Sequence, residues 1–322
     1  MKFKKVVCFG GGSAMPKVVL GALKKYPLKI TSVTSMADDG GSTGQLRRDL
    51  GVMAPGDIRR HILAFSDAPK WKKDLWGMRF GNEEFEGGHR GHSFGNVFIA
   101  GLCKNSKTYD EVLEKCSEFM EISKKYKALP ATVGNITLCA ELEDEQIVEG
   151  ENEIDVPKSH DANLKIQRIF LKPQAKAYFE TLLEIEKADA LVFGPGDFYS
   201  SVLPCFLPVG MKKAIASSRA RKILVSNIMN KKGETNGFSV EDFAGEAEKY
   251  IGTELDFVLY NKDIPDNALV RREKEKDESI SDSVEFSGNL DKEKFIGANL
   301  LKKDTVLHDS TKTGKAILKL IG

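Results

Sequence analysis

Short apolar runs that end in glycine alternate with helical patterns along the first part of the chain. The run from Lys5 to Phe9 ends in Gly10-Gly11-Gly12-Ser13, and a helical pattern over residues 18–23 follows it. Tyr26-Pro27 ends that helix, and residues 29–35 form a second β-branched run. This order predicts a right-handed βαβ unit, with the carboxyl ends of both strands on one edge of a sheet.

The middle of the chain carries longer helical patterns. Apolar positions at helical spacing predict five more helices, over residues 55–66, 93–102, 108–124, 175–187 and 200–207. Residues 67–92 interrupt this regularity. They contain both tryptophans, Trp71 and Trp76, and end in Gly87-Gly88-His89-Arg90-Gly91-His92. We interpret this stretch as a loop or lid that leads into the next helix.

Three further apolar runs predict strands in the second half, over residues 190–193, 222–225 and 254–260. The first of them ends in Gly194-Pro195-Gly196-Asp197, so the sequence repeats the strand and glycine turn of its beginning. Residues 132–171 instead alternate short apolar runs with acidic and glycine turns, which is typical of small antiparallel strands. We therefore expect a β-rich lobe at about residues 130–172, inserted between two α/β halves.

The charge run over residues 271–293 has little to bury, and we expect it to be a solvated excursion. The pattern as a whole predicts one α/β body over residues 1–322. Its mostly parallel sheet should carry helices on both faces, and the smaller β-rich lobe should be inserted into it.

Composition narrows the class of protein. The chain has 322 residues, 41% of them hydrophobic and 30% charged, which is typical of an ordered globular protein. The 48 Lys and Arg residues nearly balance the 47 Asp and Glu, so no overall charge favours nucleic acid or an anionic membrane. The first apolar run is too short for a signal peptide or a membrane span. The cysteines are scattered and odd in number, which favours reduced thiols and a cytoplasmic location: Cys8, Cys103, Cys116, Cys139 and Cys205.

The first glycine turn is a candidate phosphate site. Bare backbone amides in Gly10-Gly11-Gly12-Ser13 can approach an anion, and the helix that follows adds the positive end of its dipole. The sequence is neither the GxxxxGK[ST] phosphate loop nor the GxGxxG fingerprint. A tight turn that needs positive φ is the alternative interpretation.

A second candidate is Asp38-Asp39-Gly40-Gly41-Ser42-Thr43-Gly44, which follows the second strand and should lie beside the first glycine turn. Carboxylates next to glycines suit Mg²⁺, which takes one or two carboxylates and completes its shell with water and substrate phosphates. We expect Asp39 to be the metal ligand, if there is one. A simple turn is the alternative, because Asp and Gly are common turn residues.

Arginines follow both of these turns. Arg47 and Arg59 have guanidinium groups that can grip phosphate oxygens, although some arginines here will be solvated surface. Asp57 lies in the first turn of a predicted helix, so it either compensates the helix dipole or contacts the ligand. Ser93 is expected to cap the helix over 93–102, which would turn the amides near Gly95 and Asn96 toward a ligand.

Two other chemistries find no support in the sequence. His89, His92 and Asp67 do not have the spacing of a zinc site, and the cysteines add no ligands. Ser200 and Ser201 follow no GxSxG nucleophile elbow, so a serine hydrolase is not expected. No catalytic residue can be named from the sequence.

At these residues the chain resembles the CofD-like superfamily, and the gluconeogenesis factor branch more closely than the 2-phospho-L-lactate transferase branch. The resemblance covers nearly the full length. The ordered set of motifs is specific, while each alone is weak: Gly10 to Ser13, Ala37 to Arg48, Pro55 to Arg59, Gly91 to Asn96, Leu129 to Thr132, Gly194 to Ser201 and Ser226 to Thr235.

The resemblance implies a Rossmann-like domain that binds a nucleotide diphosphate or a nucleotide sugar, typically a UDP-sugar, and it implies a homodimer. It places phosphate on Gly11, Gly12 and Ser13, and the diphosphate or its metal on Asp39. The residues expected to bind ligand are, in full, Gly10, Gly11, Gly12, Ser13, Asp38, Asp39, Gly40, Gly41, Ser42, Gly44, Arg47, Asp57, Arg59, Phe94, Gly95, Asn96, Gly194, Gly196, Ser200, Asn227, Glu234 and Thr235. Asn227, Glu234 and Thr235 should shape the base or sugar end.

Two functions are compatible with this resemblance. The first is a regulatory protein that binds a nucleotide sugar and adjusts central carbon and cell-envelope metabolism, and with it cell shape, through an enzyme partner that the sequence does not name. The second is a Mg²⁺-dependent transferase that moves a phospholactyl-type group from a nucleotide diphosphate donor to a deazaflavin-type acceptor. The chain departs from the first branch at Leu307, where that branch usually has an arginine before His308-Asp309. An ordinary dinucleotide-dependent oxidoreductase is excluded, because the glycine fingerprint is missing.

Overall fold

The computed structural model describes residues 3–81 and 91–322. The strands in chain order are β1 Lys4–Phe9, β2 Leu28–Thr34, β3 Tyr126–Pro130, β4 Thr137–Leu142, β5 Ile147–Glu149, β6 Ile166–Lys172, β7 Ala190–Phe193, β8 Arg221–Val225, β9 Met229–Lys231, β10 Phe257–Asn261, β11 Ile280–Ser283 and β12 Phe295–Ala298. Seven of these strands form one parallel sheet in the order β3-β2-β1-β7-β8-β10-β12. This is the strand order of a doubly wound α/β fold, so the predicted fold class is confirmed.

Helices cover both faces of this sheet. The α-helices are α1 Gly21–Leu23, α2 Gly41–Leu50, α3 Gly56–Phe65, α4 Lys70–Gly77, α5 Phe94–Asn105, α6 Tyr109–Phe119, α7 Glu151–Asp155, α8 Phe179–Glu186, α9 Met211–Ser217, α10 Val240–Ile251, α11 Asn267–Lys276 and α12 Ser310–Ile321. A π-type segment, Met15–Leu20, leads into α1, while a π-type turn, Phe198–Val202, and a 3₁₀ turn, Leu203–Phe206, follow β7.

The burial of β1 shows why the sheet must be covered on both sides. Val6 and Cys8 pack into the core on one face, and Val7 and Phe9 pack into the core on the other. All four side chains are almost completely buried. A strand whose neighbouring residues are all apolar belongs inside a parallel sheet with helices on each side.

The β-rich lobe is a separate antiparallel sheet in the order β5-β4-β6. The short helix α7 follows β5 directly and carries residues Glu151–Asp155. A second small antiparallel sheet joins β9 to β11. The charge run 271–293 thus includes the end of α11 and the strand β11, with mostly exposed or half-buried side chains. The expected domain limits remain a prediction.

Several elements differ from the sequence-based expectations. Residues 70–77 form α4, whose Trp76 is fully buried, so the predicted loop over 67–92 contains a helix. The glycine and histidine stretch at its end lies largely in 82–90, outside the described residues. The edge strand β3 was not expected at all. The segment from Asp38 to Gly44, expected as a loop or turn, is only partly a loop, since α2 begins at Gly41 with Gly40 as its N-cap.

Within residues 3–81 and 91–322, no helix is both long and apolar enough to cross a membrane.

Candidate functional site

A cavity of about 370 Å³ lies beside the carboxyl ends of β1, β2 and β7. The chain winds outward from β1 in one direction and from β7 in the other, so the strand order reverses between these two strands. Doubly wound sheets bind their ligands at this position. The lining residues come from the turns after all three strands, from α2, α3, α5 and α7, and from Arg79.

Half of the residues expected to bind ligand line this cavity: Gly11, Gly12, Ser13, Asp38, Gly40, Gly41, Ser42, Asp57, Arg59, Asn96 and Gly196. The other half lie outside its lining: Gly10, Asp39, Gly44, Arg47, Phe94, Gly95, Gly194, Ser200, Asn227, Glu234 and Thr235. Only the first group lines this cavity, and Asn227 of the second group lines a neighbouring space.

The turn after β1 needs glycine because other groups approach its backbone closely. A Cβ on Gly12 would lie 2.5 Å from Asp57 Oδ1 and 2.9 Å from its Cα, and a Cβ on Gly11 would lie 2.6 Å from Ser201 Cβ. The Gly12 N–H donates a hydrogen bond to the Asp57 carboxylate. His61 Nε2 lies 3.1 Å from the Gly11 carbonyl oxygen behind the turn. The first glycine turn is therefore packed against the start of α3.

The two adjacent carboxylates after β2 point to different places. Asp38 lines the cavity, and its Oδ1 accepts a hydrogen bond from Gly40 N–H at 3.0 Å. Asp39 Oδ1 instead accepts from Asn152 N–H at 2.9 Å, at the start of α7. Asp39 therefore contacts the lobe, and Asp38 is the carboxylate of this pair that faces the cavity.

A chain of hydrogen bonds connects α2, α3 and α5 along one wall. His92 Nδ1 lies 2.7 Å from Ser42 Oγ, and Asn96 Nδ2 donates to the same oxygen at 3.1 Å. Arg59 Nε donates to Asn96 Oδ1 at 2.9 Å. Ser93 caps α5 as expected, because its side chain accepts from Asn96 N–H. These bonds fix the direction of the Arg59 guanidinium at the cavity wall.

Several of the residues outside the lining hold the wall in place. Arg47 donates to the carbonyl oxygens of Ala37 at 3.0 Å and Asp38 at 2.9 Å, so it braces the turn after β2. Gly44 approaches that turn closely, since a Cβ there would lie 1.8 Å from Asp39 O. Phe94, the first residue of α5, packs against the rings of Phe98 and Phe119.

Gly95, Gly10 and Gly194 are close-contact positions too. A Cβ on Gly95 would lie 2.7 Å from Arg59 Cδ. The nearest atoms to a Cβ on Gly10 or Gly194 belong to Met15, at 3.1 and 2.1 Å. The packing of the turns therefore explains these three glycines.

Two of the residues expected at the base or sugar end, Asn227 and Glu234, position the turn after β7. The Asn227 side chain makes two hydrogen bonds with the Gly196 backbone. Its Oδ1 accepts from Gly196 N–H at 3.0 Å, and its Nδ2 donates to the Gly196 carbonyl oxygen at 2.8 Å. Glu234 accepts hydrogen bonds from Tyr199 N–H and from the Oγ of Ser200. Thr235 accepts from Lys231 N–H at 2.9 Å.

Opposite charges occupy different walls of the cavity. Arg59, Arg60 and Arg79 contribute positive charge, and burial together with the other two guanidiniums lowers the pKa of Arg59 to about 10. Burial, and then the nearby Asp38, raise the pKa of Asp57 to about 7. The acidic side chains that face the cavity are Asp38, Asp57, Glu151, Asp155 and Asp197. Asp155 and Asp197 pair with the ammonium of Lys231, so Asp38, Asp57 and Glu151 are the carboxylates left to meet a cation or protons that arrive with an anion.

The sequence did not reveal the contribution of the lobe to this site. Glu151, Asn152 and Asp155 all line the cavity from α7. Burial raises the pKa of Glu151 well above its ordinary value, and Asp38 and Asp155 add to the effect. Glu151 and Asp155 stand in an acidic stretch whose only signal is that of a polar turn, so no local pattern marks them.

Carboxylates at and beside the cavity are the candidate ligands for a metal ion. Among the described residues, three carboxylates whose oxygens lie within 4.8 Å of one another occur at Asp155, Asp197 and Glu234. The ammonium of Lys231 lies among them. Asp38 and Asp57 face the cavity itself and supply two oxygen ligands of the kind that Mg²⁺ prefers.

His92 and Asp67, which do not have the spacing of a zinc site, have other partners in the structure. His92 bonds to Ser42, and Asp67 pairs with Lys24 at 2.8 Å. His89 lies outside the described residues.

Two neighbouring spaces share Ala14 with this cavity as a lining residue. One has a volume of about 220 Å³ and is lined in part by Asn227, and the other has a volume of about 520 Å³ and is lined in part by Lys17 and Lys302. Ala14, Leu307 and His308 border both of these spaces. The sheet edge thus offers room well beyond a diphosphate.

The chain is similar over most of its length to a known protein family. A family model described as 2-phospho-L-lactate transferase CofD matches residues 6–305. The chain belongs to the CofD family. Within it, the chain is 36% identical over 323 residues to a gluconeogenesis factor of Halalkalibacterium halodurans, covering 99% of this chain and 97% of that protein.

A second gluconeogenesis factor and a solved structure are also similar to this chain over nearly its full length. This CofD-family chain is 31% identical to a gluconeogenesis factor of Bacillus subtilis, with 98% of each protein covered. A crystal structure of a UPF0052 family protein from Bacillus halodurans matches 99% of both chains with a TM-score of 0.88 at 33% identity. The expected resemblance is therefore confirmed at the level of family and fold.

Proposed function

We propose that the cavity binds the diphosphate of a nucleotide or nucleotide sugar, of the UDP-sugar type, and that the chain acts as a regulatory binding protein of central carbon and cell-envelope metabolism. One observation carries the proposal. The glycine turn after β1 and the guanidiniums of Arg59 and Arg60 face one cavity at the reversal point of the sheet. The relatives are named gluconeogenesis factors, which supports the link to central carbon metabolism.

The charge distribution favours a diphosphate that carries a divalent cation. Phosphate oxygens would meet the guanidiniums and the backbone amides, and the cation would meet Asp38 and Asp57 on the other side. Bound Mg²⁺ would offset the repulsion among the carboxylates and the phosphates. The spaces beyond Ala14 have room for a base and a sugar.

A thermal-shift panel tests this proposal directly. We expect UDP and UDP-sugars with Mg²⁺ to raise the melting temperature, because a ligand at 100 times its Kd adds about 2.7 kcal/mol of stability. Guanosine diphosphate compounds and Mg²⁺-free samples complete the panel. If no nucleoside diphosphate shifts the transition, the proposed binding site is wrong.

A pair of variants tests the place of the cation. Asp38→Asn should remove most of the Mg²⁺ dependence of nucleotide binding, since Asp38 faces the cavity. Asp39→Asn is the matched control because its carboxylate bonds to Asn152 N–H. Titration calorimetry with and without Mg²⁺ separates the two. Equal loss in both variants would contradict the assignment of the cation to Asp38.

The second candidate is the Mg²⁺-dependent transferase of the family model's description. Asp57 favours it, because a buried carboxyl group with a pKa of about 7 can exchange a proton with an acceptor hydroxyl near neutral pH. Incubation of the best nucleotide ligand with hydroxyl acceptors distinguishes the two functions. Multiple turnovers that disappear in Asp57→Asn would favour the transferase, and binding without product would favour the regulator.

The homodimer and an enzyme partner are further parts of the proposal. Sedimentation of the purified chain tests the dimer, and a mass equal to one chain over the micromolar range would exclude it.

A further inference from the structure

Lys231 lies at the centre of a three-carboxylate cluster next to the cavity. Its Nζ lies 2.8 Å from Asp197 Oδ1 and 3.4 Å from Glu234 Oε1, and it also pairs with Asp155 Oδ1. The lysine side chain is only 15% exposed, and the Glu234 side chain is fully buried. The three carboxylates come from three separate segments of the chain, namely α7, the turn after β7 and the turn after β9.

Three carboxylates surround one positive charge, as they would in a divalent cation site, but here the charge is the Lys231 ammonium. One oxygen from each carboxylate lies within 4.8 Å of the other two, a spacing that a metal ion can bridge. Three carboxylates this close repel one another strongly unless a positive charge stands between them. The ammonium provides that charge, and the three carboxylates raise the pKa of Lys231 in return.

The cluster also has a mechanical consequence for the cavity. Asp155 ends α7, and the same helix carries Glu151 and Asn152 on the cavity wall. Asp197 lines the cavity from the turn after β7. Lys231 therefore joins the lobe to the main sheet at the point where both contribute to the wall.

We propose that Lys231 is a positioning residue whose ammonium takes the place of a divalent cation and anchors the inserted lobe to the wall of the cavity. Its removal leaves a latent metal site made of Asp155, Asp197 and Glu234. The consequence for ligand affinity rests on the proposed function, whereas the consequences for metal binding and for the lobe do not.

The test uses Lys231→Met, with Lys232→Met at the exposed neighbouring position as the matched control. Electron paramagnetic resonance counts bound Mn²⁺ per chain in the absence of nucleotide. We expect Lys231→Met to bind one Mn²⁺ more than the wild type and the control. Adding Glu234→Gln to Lys231→Met should remove that additional ion.

Amide hydrogen exchange over residues 147–156 reports on the anchoring of the lobe. Exchange there should be at least about tenfold faster in Lys231→Met than in the control, and Mn²⁺ should return it toward the wild-type rate. Loss of a side chain that acted only by packing would not be rescued by a metal ion. If Lys231→Met does not fold, refolding in Mn²⁺ becomes the measurement, and we expect the cation to restore folding.

The inference is overturned if Lys231→Met binds no additional Mn²⁺, if its exchange equals that of the control, or if Mn²⁺ restores neither exchange nor folding. Nucleotide affinity is measured separately. About tenfold weaker UDP binding in Lys231→Met agrees with both proposals. Absence of UDP binding in the wild type would refute the proposed function alone, since the Mn²⁺ count does not depend on nucleotide.

Discussion

Asp57 gives the clearest test of the electrostatics of the cavity. The Asp57 residue is 9% exposed, and its carboxyl group accepts a hydrogen bond from Gly12 N–H and stands near Asp38. Burial first, and then the Asp38 charge, raise its pKa from 3.8 to about 7. Replacing Asp57 with Asn keeps the shape and the hydrogen-bond acceptor but removes the charge.

The sign of the effect follows from where the proton is held. Below about pH 4 the carboxyl group is protonated in the folded and the unfolded chain, so it adds no pH dependence. Between about pH 4 and 7 only the folded chain keeps the proton, and wild-type stability falls as the pH rises. A pKa difference of about three units, at about 1.4 kcal/mol per unit, sets a ceiling of about 4 kcal/mol. Because part of the rise comes from the Asp38 charge, and burial raises the pKa of Asp38 as well, we expect about half of that.

Asp57→Asn should therefore raise the free energy of unfolding by about 2 kcal/mol at pH 8 and by close to zero at pH 4. Urea denaturation in the presence of a chelator, at pH 4, 6 and 8, measures this difference. Asp49→Asn, at an exposed position on α2, is the control and should show little change. A gain for Asp57→Asn that is the same at all three pH values, or no gain at pH 8, would refute the argument.

Two further pairs of variants test packing at and behind the site. Trp76→Ala should lower the free energy of unfolding by about 3–5 kcal/mol, whereas Trp71→Ala, at a side chain that is 59% exposed, should cost less than about 1 kcal/mol in urea denaturation. Gly12→Ala should weaken binding of the proposed nucleotide at least about tenfold by calorimetry, because its Cβ would lie 2.9 Å from the Asp57 backbone. Gly101→Ala, where a Cβ meets nothing within 4 Å, should bind normally, and equal affinities of the two variants would contradict the close approach at Gly12.

Local signals explain what the sequence could predict. The run from β1 through its glycine turn to β2 combines apolar strands, glycines and a helix stop, and all of these act over fewer than about ten residues. The structure pairs β1 with β2 in parallel and places Gly11, Gly12 and Ser13 at the cavity. The strands of the lobe were predictable for the same reason, since β4 and β6 alternate with clear turns.

Contacts between distant segments explain what the sequence could not predict. Which of Asp38 and Asp39 faces the cavity depends on Asn152, which lies 113 residues further along the chain. The Asn152 N–H donates a hydrogen bond to the Asp39 carboxylate. The short helix α7 has one buried side chain, Ile154, and therefore lacks the apolar pattern that would identify it. The edge strand β3 has only five residues and does not end in the glycine turn that marks the ends of β1 and β7, so it lacks the signal that identifies those strands.

Two separate parts of the chain line the cavity, and this affects which substitutions can alter the ligand preference of the protein. The glycine turn, Asp38 and Asp57 come from the first 60 residues, while Glu151, Asn152 and Asp155 come from the lobe. Substitutions in the lobe can therefore alter the surface presented to the ligand while the backbone amides of the first turn stay in place. A library of substitutions confined to residues 147–156 is accordingly the smallest change that we expect to yield new ligand preferences while the rest of the fold stays unchanged.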